Sequence, residues 1–392
     1  MPASPSTARA INDRLALGLL QREGPLTAGQ LKELTGLSRP TVADLVERLR
    51  EAGLVTVVGE YGAARRGPNA RLYGLVADRA HLAALDVRTE SVTVLVSDLL
   101  GTVLAEGTSR IRPGTATAPA VRQAVRLVAR TAARAGDGPL HSVAVGAPGL
   151  VDPGTGELRD TSGLPAWHRS LAAALRERLP ARVLTENETN LAALAELREG
   201  AAQGRGTFVL LWLGHAVGAA LVLDGALRRG ASGGAGEIGF LPVPGPGRLP
   251  SATGCEGGLH SLVSSAALTA LAEEHAVPAP PGRGDPQEPE AAGRLRQAVT
   301  SGATAFLDET AARLAIGLAA VTAVLDPGCV VLGGEIGRAG GEALAGRVER
   351  RLRTMSPVAT EVRAGALGGA AVLRGALLTA RESAQDDLFT LP

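Results

Sequence analysis

The sequence predicts an α/β fold class with a small, separate unit at the N-terminus. Three observations carry that reading. Over the first fifty positions apolar residues recur at helical spacing, then give way to two short strand-like runs. From residue 80 onward, strand-like and helix-like segments alternate along most of the chain. The 392 residues are 45% hydrophobic, which is enough for a large core and two or three domains.

In the N-terminal unit, Ile11, Leu15, Leu19 and Leu20 lie on one helical face, and Gly24-Pro25 ends that helix. Thr27 is the expected N-cap of a second helix, with Gln30 completing a capping box. That helix runs to about Thr35, and Gly36 makes a tight turn. Ser38 caps a third helix with Pro40 in its first turn, where a missing N–H does no harm. Residues 54–58 alternate like a strand, a basic loop carries Arg65 and Arg66, and residues 71–75 form a second strand. Helix, helix, glycine turn, helix and two strands around a basic loop is the order of a winged helix-turn-helix.

A helix braced in this way enters the major groove of double-stranded DNA, with its N-terminal residues at the base edges. Ser38, Arg39 and Thr41 are the expected DNA-binding residues on that helix, with Asp44 beside them. Arg65 and Arg66 on the wing would reach phosphates or the minor groove. Residues 1–75 hold ten lysines and arginines against seven carboxylates, whereas the whole chain carries a net charge of only +1. A mildly basic unit on a near-neutral body fits local contact with nucleic acid. The competing reading of the same segment is a small helical bundle used for protein contact.

Beyond residue 80, strands are expected at 82–87, 92–97 and 103–106, followed by a helix at 117–135 and a buried strand at 143–146. A helix at 169–178, a strand at 182–185, a helix at 188–199 and strands at 207–213 and 218–223 come next. Helices at 258–274 and 303–325, a strand at 329–332 ending in Gly333-Gly334, and a last helix at 369–383 complete the pattern. Residues 276–290 read as a loop rich in Pro, Gly and Glu. Two cysteines, Cys255 and Cys329, are too few for a disulfide framework or a four-thiolate zinc site. No apolar signal core opens the sequence and no run of about 18 strongly apolar residues occurs, so a cytoplasmic protein without a membrane partner is expected.

Four segments carry a resemblance to a known family. They are VGAPGLVDPGTGEL at 145–158, TENETNLAALAE at 185–196, LVLDGALRRGASGGAGEIG at 221–239 and VVLGG at 330–334. Together with the N-terminal unit, they make the chain resemble the ROK family (repressors, open reading frames and kinases). Residues 11–75 are similar to its winged helix-turn-helix, and residues 80–383 to its sugar-kinase-like body. The resemblance implies a two-lobed actin-like (ribonuclease H-like) fold with a cleft. The expected division is a DNA-binding domain at 1–78, a first lobe at 79–199 completed by the helix near 369–385, and a second lobe at 200–368.

The departures from the family pattern bear on function. Kinases of the family place an Asp-Gly-Gly-Thr turn after the first strand, because phosphates need close backbone approach. Here the stretch is Asp86-Val87-Arg88-Thr89-Glu90. The second phosphate loop, usually Gly-Thr-Gly-Val-Gly, is Gly214-His215-Ala216-Val217-Gly218. The expected catalytic Asp is Glu188, within Glu186-Asn187-Glu188. The family's structural zinc is held by one His and three cysteines, whereas the matching positions are Phe240, Ser251, Thr253 and Gly258. No catalytic residue, no metal and no cofactor are therefore expected. Asn187 and Glu237 match residues that bind sugar hydroxyls, but Gly163, Phe240 and His260 replace three other members of that pocket. Asn187, Glu188, Glu237 and His260 are the expected ligand-binding set, and Trp167 and Trp212 are read as core.

The resemblance thus implies a DNA-binding transcriptional regulator, more often a repressor. Its expected partners are double-stranded operator DNA and a sugar-like effector that binds without being phosphorylated, and its expected assembly is a homodimer or homotetramer. Two rivals remain. One is a carbohydrate kinase carrying a DNA-binding domain, and the other is an effector-independent DNA-binding protein whose body only oligomerises.

Overall fold

The computed structural model describes residues 5–61, 70–159, 164–245, 247–280 and 288–389. The N-terminal unit contains α1 (Pro5–Glu23), a two-residue β1 (Leu26–Thr27), α2 (Ala28–Thr35), α3 (Arg39–Glu51), β2 (Val55–Tyr61) and β3 (Ala70–Leu75). The expected caps are present. Thr27 Oγ1 accepts from Gln30 N at 3.2 Å, and the Gln30 side chain accepts from Thr27 N at 2.9 Å. Gly36 takes the left-handed conformation, φ 70°, that closes α2, and Ser38 caps α3. Leu17, Leu20, Leu31, Leu45 and Leu49 are buried together where the three helices meet. Arg48 of α3 reaches the buried Asp13 of α1 at 2.6 Å, which fixes the third helix across the first. The strands pair in the order β1-β3-β2, and β1 is a strand the sequence pattern did not show. Arg65 and Arg66 lie outside the described residues.

The body holds two five-stranded sheets of the same plan. The first contains β4 (His81–Arg88), β5 (Ser91–Ser97), β6 (Val103–Arg110), β7 (Leu140–Ala147) and β8 (Arg182–Asn187) in the order β6-β5-β4-β7-β8. Its first three strands form an antiparallel meander, and β4, β7 and β8 run parallel. Helices α4 (Thr117–Ala135) and α5 (Trp167–Arg178) cover one face, with Val121, Val128, Trp167 and Leu171 in that core. Helix α6 (Glu188–Glu199) follows β8 directly.

The second sheet contains β9 (Phe208–Leu213), β10 (Val217–Leu223), β11 (Ala226–Arg228), β12 (Cys329–Gly333) and β13 (Glu361–Ala364) in the order β11-β10-β9-β12-β13. It repeats the plan, with an antiparallel meander followed by parallel β9, β12 and β13. Strands β9 and β12 are buried along their whole length, as apolar strands covered on both faces must be. Among the described residues five helices belong to this half: α7 (His260–Val263), α8 (Ser265–Glu274), α9 (Glu290–Ser301), α10 (Thr304–Leu325) and α11 (Gly334–Arg353). The single helix expected at 258–274 is two, because Ser264 turns extended and caps α8 through Ala267 N. Within α11 the backbone breaks at Gly341, φ 52°. Of the loop expected at 276–290, residues 281–287 lie outside the described residues.

The last helix, α12 (Ala371–Leu388), returns to the first sheet and packs on α6, β4 and β7. Leu191, Ala192, Phe208, Leu210, Val372 and Ala376 share one apolar cluster, so α6 and α12 form the layer between the sheets. At its far end α12 meets the N-terminal unit, where Gln385 Nε2 donates to Gln21 Oε1 at 3.1 Å and Asp386 pairs with Arg14. No helix among the described residues is long and apolar enough to cross a membrane.

Candidate functional sites on the recognition helix and in the cleft

Ser38, Arg39 and Thr41 all stand exposed at the head of α3. Ser38 Oγ lies 2.7 Å from Thr41 Oγ1 and accepts from Thr41 N at 3.3 Å, so the two hydroxyls organise the helix start while staying open to solvent. The Arg39 guanidinium pairs with nothing among the described residues. Asp44 differs, because it is tied to Arg48 one turn on. The surface therefore offers one free cation and two hydroxyls at the N-terminal end of a helix, where the macrodipole also favours an anion.

In the body, a cavity of about 530 Å³ opens between the two sheets. It is built from the end of β4, the turn into β5, the start of α6, the β9–β10 hairpin and the head of α11. The residue at its centre is Arg88. Its Nε donates to Asp86 Oδ2 at 2.9 Å, and one of its Nη atoms lies 2.8 Å from Glu335 Oε1. The pairs join the first sheet to the first turn of α11, across the cleft. Burial works against the Arg88 charge, but Asp86 and Glu335 more than restore it and raise its pKa. Asp86 is itself raised by burial, and Arg88 offsets part of that shift.

Glu188 lines the same cavity and hydrogen-bonds to nothing among the described residues. Burial pushes its pKa up to about 8, and the negative charge of Asp86 adds to the shift. Arg88 pulls the other way, while Glu335 and Glu237 raise it further. At neutral pH the Glu188 carboxyl is therefore mostly protonated. Glu188, alone of the four expected ligand-binding residues, lines this cavity.

Asn187 does something other than wait for a sugar. Its side-chain oxygen caps α6, accepting from Thr189 N at 2.8 Å and Asn190 N at 3.3 Å, and its Nδ2 donates to Gly149 O at 2.9 Å. Beyond these contacts one N–H of the Asn187 side chain remains uncommitted. Glu237, largely exposed, precedes the 3-10 turn Ile238–Phe240; its carboxyl pairs with nothing among the described residues, and partial loss of hydration raises its pKa. His260 opens α7 beside that turn, where a Cβ on Gly239 would lie 3.7 Å from its own, and burial lowers its pKa. Glu237 acts on Glu188 through its charge, while neither Glu237 nor His260 lines the cavity. Gly163 lies outside the described residues.

The retained glycines have structural reasons. A Cβ at Gly334, φ 77°, would sit 2.4 Å from Leu213 O, so β12 can turn into α11 there only without a side chain. The segment resembling a zinc site offers neither imidazole nor thiolate at Phe240, Ser251, Thr253 or Gly258, so a zinc ion does not fit it. Among the described residues no three His, Cys, Asp or Glu side chains converge as a metal site. A Pro242–Gly258 bridge and an Arg248–Glu256 ion pair at 2.8 Å hold that segment instead. Trp167 is core as expected, whereas Trp212, though only 6% exposed, also lines the cavity.

Two sheets of one plan around a cleft, carrying a winged helix at the N-terminus, define a sugar-kinase-like protein joined to a DNA-binding unit. The chain belongs to the ROK family, whose pattern matches residues 82–383, and residues 11–66 match the MarR family. The xylose repressor of Caldicellulosiruptor bescii is 24% identical over 237 residues, covering 60% of this chain and 59% of that repressor. The match thus spans less than two thirds of that relative. A glucokinase of Halalkalibacterium halodurans is 32% identical over 135 residues, 34% of this chain and 41% of the kinase. The crystal structure of a ROK family transcriptional regulator homologous to the Escherichia coli Mlc protein superposes with a TM-score of 0.75. That match is 21% identical and covers 97% of this chain and 98% of the other, so the two share their fold.

Proposed function

We propose that this protein is a DNA-binding transcriptional regulator, a repressor. Its grip on an operator is set by a sugar or sugar derivative that binds in the cleft and is not phosphorylated. The observation that carries this reading is the head of α3, where the capped helix presents Arg39 unpaired beside Ser38 and Thr41. In this reading residues 1–78 bind DNA, with Arg65 and Arg66 on phosphates. Residues 79–199 with the helix near 369–385 form one lobe, and residues 200–368 the other. The effector rests on Asn187, Glu188, Glu237 and His260 and favours one arrangement of the lobes. Two copies of the chain, reading two half-sites, suit a recognition helix of this kind. The xylose repressor among its relatives supports the regulatory role. Arg88 argues against phosphoryl transfer, because its charge is already spent on Asp86 and Glu335 and it stands where close phosphate approach needs glycine.

The test is selection of bound duplexes from a random pool, followed by titration of the selected site with and without a panel of sugars. A discrete selected motif that one sugar releases supports the reading, and failure to select any motif overturns it. The glucokinase likeness keeps one alternative, a kinase with a DNA-binding unit. Transfer of phosphate from ATP to any sugar of the same panel would favour it.

A further inference from the structure

The cavity lining mixes two kinds of residue. Pro148, Leu164, Trp212 and Val372 supply apolar surface. Asp86, Glu188 and Glu335 gather around one guanidinium, that of Arg88. At the rim, Glu90 and Arg110 offset one another at 3.3 Å. Positive charge is short. Asp86 Oδ1 is buried with no partner among the described residues, and the half-buried Glu188 carboxyl pairs with nothing there either. Buried carboxylate oxygens left without donors are rare in folded proteins and call for a missing donor.

We propose that this cavity is a binding site for a small organic ammonium ion: a primary amine on a compact carbon skeleton. Its N–H groups would meet Glu188 and Glu335, and its skeleton would lie along Trp212, Leu164 and Val372. Three alternatives fit less well. A phosphate would meet three carboxylates and a guanidinium already engaged twice. A metal ion needs several oxygens converging at about 2.0–2.6 Å, and no such group exists among the described residues. A neutral polyol supplies hydroxyl donors but leaves the charge imbalance in place. An ammonium supplies three donors and one positive charge, and the Trp212 ring adds attraction for a cation. The site shares Glu188 with the proposed effector set and does not require the DNA-binding reading to hold.

A proton is the present substitute for that cation. Glu188 faces Asp86 and Arg88 from β4, Glu335 from α11, Glu237 from the turn before Ile238–Phe240, and His215 from the β9–β10 hairpin. Its carboxyl, pushed up to about 8, relieves the repulsion by staying protonated at neutral pH. An ammonium in the cavity favours the ionised form, so binding near pH 7 releases a proton. Affinity therefore rises with pH until the amine loses its own proton near ~10.

The experiment is calorimetry of the full chain with matched pairs: putrescine against 1,4-butanediol, and D-glucosamine against D-glucose. Inorganic pyrophosphate and magnesium ATP serve as anionic probes. The expected result is that at least one amine binds ten-fold or more tightly than its neutral match. Its heat should depend on buffer in the sense of proton release at pH 7. Glu335→Gln should weaken that binding at least ten-fold. Glu188→Gln, which copies the protonated side chain and so keeps the fold, should abolish the proton release. Glu274→Gln, at an exposed carboxylate, should change nothing. Equal binding of amine and neutral match overturns the proposal, as does amine binding that survives both cleft variants. Tighter binding of pyrophosphate or magnesium ATP overturns it too. Binding of glucose but of no amine removes the ammonium site and leaves the sugar-responsive reading standing, whereas no binding by any probe counts against both.

Discussion

At the head of α3 the Arg39 guanidinium stands in solvent and pairs with nothing among the described residues. In the cleft the Arg88 guanidinium is three-quarters or more covered and divided between Asp86 at 2.9 Å and Glu335 at 2.8 Å. The two side chains are chemically identical, and the difference lies in what burial forces. A cation removed from water must be paired, because desolvation costs several kcal/mol per ion. One left in water is free to be paired later by a partner. Arg39 thus has its charge available for recognition, while Arg88 has spent its own on holding the two sheets together.

That contrast can be broken most directly at Arg88. Arg88→Ala should leave Asp86 and Glu335 without their cation and destabilise the fold by about 3–5 kcal/mol. Urea unfolding at pH 8 and pH 5 would measure it. A loss below about 1 kcal/mol at both values would show that the bridge carries little.

The next largest effect has the opposite sign. Glu188 titrates near 8 in the folded chain, against 4.5 for an ordinary glutamate. Between those values the folded state holds a proton that the unfolded state has released, so stability falls as pH rises from the lower to the higher. Glu188→Gln removes that penalty. The variant should match the parent near pH 4.5 and exceed it by roughly 2–4 kcal/mol at pH 9. Thermal melts across that range would check it, and parallel curves would mean that Glu188 is not strained.

Arg39→Ala should do the reverse of Arg88→Ala. It should leave unfolding within ~0.5 kcal/mol of the parent and weaken specific DNA binding by about 1–3 kcal/mol. Gel-shift titration on the selected duplex together with urea unfolding tests both halves. A stability loss without a binding loss would reverse the roles given to the two arginines. The smallest change is Thr27→Ala, which removes one half of the capping box and should cost about 1 kcal/mol. That loss should appear as weaker hydrogen-exchange protection in α2, with the cleft unaffected.

The N-terminal unit was legible almost residue by residue, because its signals are local. Thr27, Gln30, Gly36 and Ser38 act on neighbours within four positions, and all four stand in their expected roles. Elements that escaped the sequence lack such signals. Strand β1 is two residues long and exists only because β3 pairs with it. Helix α11 begins with Gly-Glu-Ile-Gly-Arg-Ala-Gly-Gly, poor in helix formers, and owes its form to packing of Ile336, Leu344 and Val348 on the second sheet. Strand β13 is a short edge that follows β12 in register. In the cleft, Glu188 was found because it stands beside Asn187 in a recognisable segment. Glu335 was missed, since nothing near it in sequence shows that Arg88 will reach it from the other sheet. The capping role of Asn187 was not read, because a helix-capping amide and a ligand-binding amide look alike until the helix is seen.

Helix α12 has one end at the cavity, where Val372 forms part of the lining, and the other at α1, where Asp386 holds Arg14. Between those residues the helix runs for about 21 Å at 1.5 Å per residue. A tilt of about 5° at the cavity end would swing Asp386 sideways by about 2 Å, given that arm length. Because Arg48 pins α3 to α1 through Asp13, that swing would reach the helix that carries Arg39. Hydrogen bonds to a base edge are formed within a window of about 0.5 Å, so under the proposed reading such a swing would exceed several-fold what a base contact absorbs.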